Sequence, residues 1–125
     1  MDTNVIVRAV TGDDAVQSPL ARALLTEPFV LLASVLVETE WVLRSQYGWP
    51  RDAIASALAE LVDLPALAEA PAAIHWAVNG FAEGADFADM VHLVSAGAAT
   101  RFVTFDRRLK TKAGNPPPIP IEIPA

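Results

Sequence analysis

The segment Phe102–Leu109, FVTFDRRL, decides the fold class. Phe102 to Phe105 have strand character, and the run ends at Asp106. RRLKTK follows and reads as a short helix. A brief apolar run bounded in this way marks a short buried strand. The same alternation recurs outward along the chain. Phe29–Leu32 is a short apolar run ahead of SVLVETEWVLRSQYG, a helix with Ser34 as its N-cap and Gly48 as its C-cap. PRDAIASALAELV, with Pro50 at the first helical position and Asp52 in the positive first turn, precedes the strand candidate Leu67–Glu69. PAAIHWAVNGFAEG reads as a helix from Pro71 to Gly84, weakened by Gly80. DFADMVHLVSAG reads as another, from Asp86 to Gly97. VIVRAVTG after Asn4 reads as mostly helical. NPPPIPIEIPA is held extended by its prolines, and Ile119–Ile123 within it alternates like an edge strand. Short strands alternating with helices predict an α/β fold with a parallel sheet. Ligands of such sheets bind at the carboxyl ends of the strands, which is where Asp106 falls.

Length and composition bound the rest. A chain of 125 residues that is 53% apolar has the material for one domain, expected over 1–125, with an ample core. It has no cysteine, which excludes disulfides and thiolate metal sites and fits a reducing, cytoplasmic setting. No signal peptide is evident and no apolar run is long enough to span a bilayer, since FVLLASVLV stops at Glu38. The formal net charge of −6 repels nucleic acid at long range and counts against a passive DNA-binding module. It counts less against a metal-dependent nuclease, whose acids a cation neutralises locally. Arg101, Arg107, Arg108, Lys110 and Lys112 form a basic cluster, for which a solvated helix face is the plainer reading.

Five acids stand where apolar stretches change character: Asp2, Glu38, Asp86, Asp89 and Asp106. A carboxylate buried without compensation is costly. Acids set beside the most apolar segments therefore point to a shared positive partner, of which a divalent cation is the simplest. Asp86 and Asp89, three apart, share one face of a helical first turn.

The fragments DTNVIVR, VETEWVLR, ADFADMVHL and FVTFDRRL, in this order, resemble the PIN-domain family, and within it the VapC-type toxins of bacterial toxin–antitoxin pairs. The resemblance covers nearly the whole chain. It implies a three-layer α/β/α sandwich with a short central parallel sheet and a Mg²⁺- or Mn²⁺-dependent endoribonuclease. It implies Asp2, Glu38, Asp89 and Asp106 as the catalytic and metal-binding acids. Asn4 and Thr104 match the small polar residues that support the acids, and Asp86 matches a further acid of the subgroup. The resemblance also implies an RNA substrate, a cognate antitoxin that fills the acidic groove, and a homodimer. Family members usually carry an apolar strand before the first aspartate, whereas here only Met1 precedes Asp2. Hard oxygen ligands of this kind suit Mg²⁺, which retains several waters. A bound metal lowers the pKa of a water and offsets charge on an attacked phosphodiester.

Each residue also has a plainer reading. Asp2 could be a disordered terminal residue, and Asn4 a helix cap. Asp86 and Asp89 could serve as N-cap and first-turn acid, Asp106 as the cap of RRLKTK, and Thr104 as a strand former. Glu40 and Arg44 read as a surface i,i+4 pair. His92 reads as a partly buried helical histidine rather than a ligand, and His75 fits no metal cluster. Trp41, Trp49 and Trp76 read as core or partner-interface residues. Arg44, Arg107 and Arg108 are candidate phosphate contacts. Two other functions stay open: a non-catalytic PIN-like binding protein, and a PIN nuclease with a housekeeping RNA-processing role. A phosphatase that uses Asp2 as nucleophile would want a second aspartate where Asn4 stands.

Overall fold

The computed structural model describes residues 1–95, 102–114 and 117–124. They fall into two compact units, Met1–Pro71 and Ala72–Ala125.

The first unit runs α1 (Thr3–Thr11), α2 (Gln17–Leu24), β1 (Phe29–Val30), α3 (Ala33–Ser45), α4 (Arg51–Val62) and β2 (Leu67–Glu69). β1 and β2 pair in parallel, as the alternation of elements predicted, with Phe29 opposite Leu67 and Val30 opposite Glu69. Leu31 N–H extends the pairing by donating to Glu69 O at 2.9 Å. The Met1 amino group reaches the same strand, 3.4 Å from Val30 O. Apolar positions on the inward faces of the helices build the core: Ile6 and Val7 from α1, Leu36 and Leu43 from α3, and Ile54, Leu58 and Leu61 from α4.

Pro50 is the N-cap of α4 rather than its first residue, and both limits of α3 differ from the sequence expectation. The extended backbone of β1 persists through Leu32, at ψ 149°, so α3 starts at Ala33 and Ser34 lies inside it rather than capping it. At the other end Gln46 is the cap, and Gly48 takes the left-handed conformation two residues later, at φ 66°.

The second unit runs α5 (Ile74–Ala82), α6 (Phe87–Val94), β3 (Phe102–Val103), α7 (Arg107–Lys112) and β4 (Ile121–Glu122). β3 and β4 are parallel, Phe102 opposite Ile121 and Val103 opposite Glu122. α5 begins at Ile74, three residues past Pro71, because Ala73 turns the chain at φ 54°. Phe81 and Phe87 meet edge to face at 5.6 Å and join α5 to α6. A Cβ on Gly80 would lie 3.0 Å from the buried Met90 Sδ, so the glycine that weakens the helix lets α6 approach. Gly97, the expected end of α6, lies outside the described residues, and α6 closes at Ser95. The strands are shorter than expected except β2. No helix among the described residues is long and apolar enough to cross a membrane.

Candidate active site

In the first unit the abrupt passage from β1 to α3 sets Glu38 in the second turn of the helix, exposed to solvent. α3 buries Leu36, Thr39, Glu40 and Leu43, and Glu38 points away from that face. Glu38 and Trp41, three apart, line a cavity of about 460 Å³ with Asn4 and Arg8 of α1 and with Gln46 and Tyr47. Asn4 does not cap the helix. Asp2 does, its Oδ1 accepting from Thr3 N–H at 2.8 Å, so the first acid is an ordered N-cap rather than a loose end.

Arg8 and Tyr47 belong to a network that no single stretch of sequence discloses. Arg8 Nη1 lies 3.1 and 3.2 Å from the two Asp13 oxygens. Tyr47 O–H donates to Asp13 Oδ2 at 2.7 Å, and Thr11 O–H donates to Oδ1 at 2.7 Å. These bonds, Thr11 and Tyr47 first, hold the Asp13 carboxyl below its ordinary range, and the bond to Asp13 raises Arg8 above its own.

Glu40 and Arg44 correct another expectation. The pair exists, Arg44 Nε donating to Glu40 Oε2 at 3.1 Å, but Glu40 lies on the buried face of α3 at 5% exposure. Arg44 therefore sits against a carboxylate of its own chain.

In the second unit Asp86 is the N-cap of α6, its Oδ1 accepting from Asp89 N–H at 3.0 Å. Asp89 is consequently held in the first turn. Partial burial raises its pKa, and the negative charges of Asp86 and then Asp106 raise it further, against an opposing effect of His92. These three acids thus share one electrostatic field. His92 is exposed, not partly buried, because its turn of α6 faces outward between the buried Val91 and Leu93.

Asp106 is placed by the β3–β4 ladder. Thr104 N–H donates to Glu122 O at 3.0 Å, continuing the strand, and Thr104 Oγ1 accepts from Asp106 N–H at 3.0 Å. Asp106 Oδ1 then accepts from Arg108 N–H at 2.9 Å and caps α7. So Thr104 is more than a strand former, and the capping role of Asp106 is real. Arg107, Arg108, Lys110 and Lys112 are exposed around the buried Leu109, while Arg101 lies outside the described residues.

The expected site residues are thus divided. Asp2, Asn4 and Glu38 belong to the first unit; Asp86, Asp89, Thr104 and Asp106 belong to the second. Asn4 and Glu38 share a cavity, and Asp86, Asp89 and Asp106 share a field. Within each unit, no group of three or more His, Cys, Asp or Glu among the described residues has metal-holding geometry. Sequence reasoning missed the Asp13 network, and of its two readings of Trp41, core or partner interface, the half-exposed indole excludes the core.

Compared with known proteins, the chain matches the family described as PIN domain over residues 1–115. It therefore belongs to that family, with an α/β PIN-like fold and the nuclease character general to it. No curated protein and no solved structure matches the chain significantly.

Proposed function

We propose that this member of the PIN domain family is a Mg²⁺- or Mn²⁺-dependent endoribonuclease acting as the toxin of a toxin–antitoxin pair. The observation that carries the reading is Asp89: a partly buried carboxyl whose proton affinity is raised first by that burial and then by two further acids, Asp86 and Asp106. A protein gains nothing in stability from crowding like charges, and such a field favours a cation. The donor set fits a hard divalent ion in kind, being carboxylate oxygen with no cysteine thiolate in the chain. Asp89 and Asp106 of the second unit would hold it, and Asp2 and Glu38 are the further ligands that the family resemblance implies. When bound, the metal supplies a water of lowered pKa and charge to offset that on an attacked phosphodiester.

The chain's own residues do the positioning. Asp86 fixes the first turn of α6 and with it the Asp89 backbone. Thr104 fixes the Asp106 backbone. Asp89 binds a cation only when ionised, so its raised proton affinity makes metal uptake increase with pH. Arg107 and Arg108, exposed beside Asp106, are the phosphate contacts this reading favours. Arg44 is less suited, being paired with Glu40. A cognate antitoxin would present an Arg or Lys to the acids, a guanidinium standing in for the metal charge. A homodimer and a cytoplasmic setting belong to the same proposal.

The test is calorimetric titration of Mn²⁺ into metal-free wild type and Asp89→Asn, followed by an RNA-cleavage assay. Saturable binding and cleavage that the substitution abolishes support the reading. Cleavage that survives both Asp89→Asn and Asp106→Asn overturns it.

A further inference from the structure

We propose that the groove between α1 and α3 is a subsite for one unpaired nucleobase of single-stranded RNA, stacked on Trp41. The inference rests on the ribonuclease reading and names a feature of its substrate. α1 contributes Asn4 and Arg8, four apart, and α3 contributes Glu38 and Trp41, three apart, so each helix turns one face into the same cavity of about 460 Å³. A cavity of that size lies in the ordinary range for small ligands, about 300–1,000 Å³. Trp41 is 50% exposed, an indole that its own core does not use. Tyr47, further along the wall, is fixed by its hydroxyl between Asp13 and Arg8.

Charge selects a base over a phosphate. Glu38 stands in the wall, and the chain as a whole carries −6. The one cation of the wall, Arg8, is already engaged with both Asp13 oxygens. In the metal-free chain, a phosphate there would meet Glu38 with little free positive charge to offset it. A neutral, flat ring meets no such repulsion and covers the indole face. Asn4 and Gln46, both exposed, each offer an amide donor and acceptor to the edge of a base. Bases within a duplex are already stacked and cannot enter, so the subsite takes splayed single-stranded RNA.

The test is binding without turnover. Labelled short RNAs are titrated by anisotropy against the full chain in metal-free buffer, as single strands and as duplexes of the same sequence. Trp41→Ala is expected to weaken single-strand binding roughly tenfold, the scale of losing one base–aromatic stack, and Trp41→Phe to restore most of it. A Trp49→Phe/Trp76→Phe chain, in which Trp41 is the remaining tryptophan, is expected to lose fluorescence on adding single strands and not duplexes. Equal affinity of wild type and Trp41→Ala overturns the subsite. So does equal quenching by inorganic polyphosphate, which would show a response to charge. A fall in sedimenting mass on Trp41→Ala would assign the indole to an interface between copies and also overturn it. The two readings fail separately: RNA binding that depends on Trp41 in a chain that cuts nothing removes the nuclease, whereas cleavage by a chain indifferent to Trp41→Ala removes the subsite.

Discussion

Arg44 Nε donates to Glu40 Oε2 at 3.1 Å across one turn of α3, and the two ends of this bond lie in different media. The Glu40 side chain is 7% exposed, that of Arg44 54%. Removing the outer partner strands the inner charge. Arg44→Ala should cost about 1–3 kcal/mol, less than for a pair buried at both ends because water reaches the site. Glu40→Leu, which removes the buried charge and fills its space, should be near neutral. Urea unfolding of the two variants checks the asymmetry.

Asp13 collects hydrogen bonds from Thr11, Tyr47 and Arg8 and has a depressed pKa. A depressed folded-state pKa contributes stability that is present above the unfolded value, about 3.9, and is lost as pH falls through the folded value. Tyr47→Phe should therefore lower the melting temperature slightly at neutral pH, with a loss that shrinks below about pH 3.9. The Arg8–Asp13 pair is reached by solvent, so added salt should reduce the difference. Melting curves across pH and salt measure both.

Asp89 has the opposite sign. Its raised pKa means that the folded state holds its proton more tightly than the unfolded state. Ionising it costs stability, absent below the unfolded value of about 3.9 and complete above the raised folded value. Metal-free Asp89→Asn should accordingly be more thermostable than wild type at neutral pH and indistinguishable from it in acid. Divalent metal should stabilise wild type and leave the variant unchanged. Calorimetric melting with and without Mn²⁺ reads out both effects.

Gly80 faces Met90 Sδ at 3.0 Å from where a Cβ would stand. Gly80→Ala should change stability by less than about 1 kcal/mol, since the helix-propensity gain of about that size offsets the displacement of a flexible thioether. Gly80→Val overfills the contact and should cost about 1–3 kcal/mol. Denaturant midpoints of the two variants separate propensity from packing.

Thr104 Oγ1 accepts the Asp106 N–H bond. If Asp106 is a metal ligand, Thr104→Val keeps the shape of the strand but loosens the acid, and should lower metal affinity or RNA cleavage by about 10- to 100-fold. Thr104→Ser should retain most of both. Parallel Mn²⁺ titration and cleavage assays decide this.

The alternation of short apolar runs with helices, and the acids at their ends, were legible in the sequence because they rest on interactions between near neighbours. Asp86 caps α6 and Asp106 caps α7 through bonds to residues two or three positions away, so sequence spacing alone foretells them. Membership of the PIN family follows from the same ordered fragments. What packs against each helix could not be read in this way. Glu40 and His92 were assigned by their local pattern, and the structure reversed both, burying the carboxylate and exposing the imidazole. The N-cap of α3 moved from Ser34 to Leu32 because β2 holds Leu31 in the ladder, a constraint from residues far along the chain. Asp13 and Tyr47 meet although 34 positions separate them. The sequence by itself determined the elements and the kind of donor they carry, since local propensity and spacing are short-range. Only tertiary structure decided which faces are dry and which charges feel one another, because burial and Coulomb fields depend on what folds against a residue rather than on what precedes it.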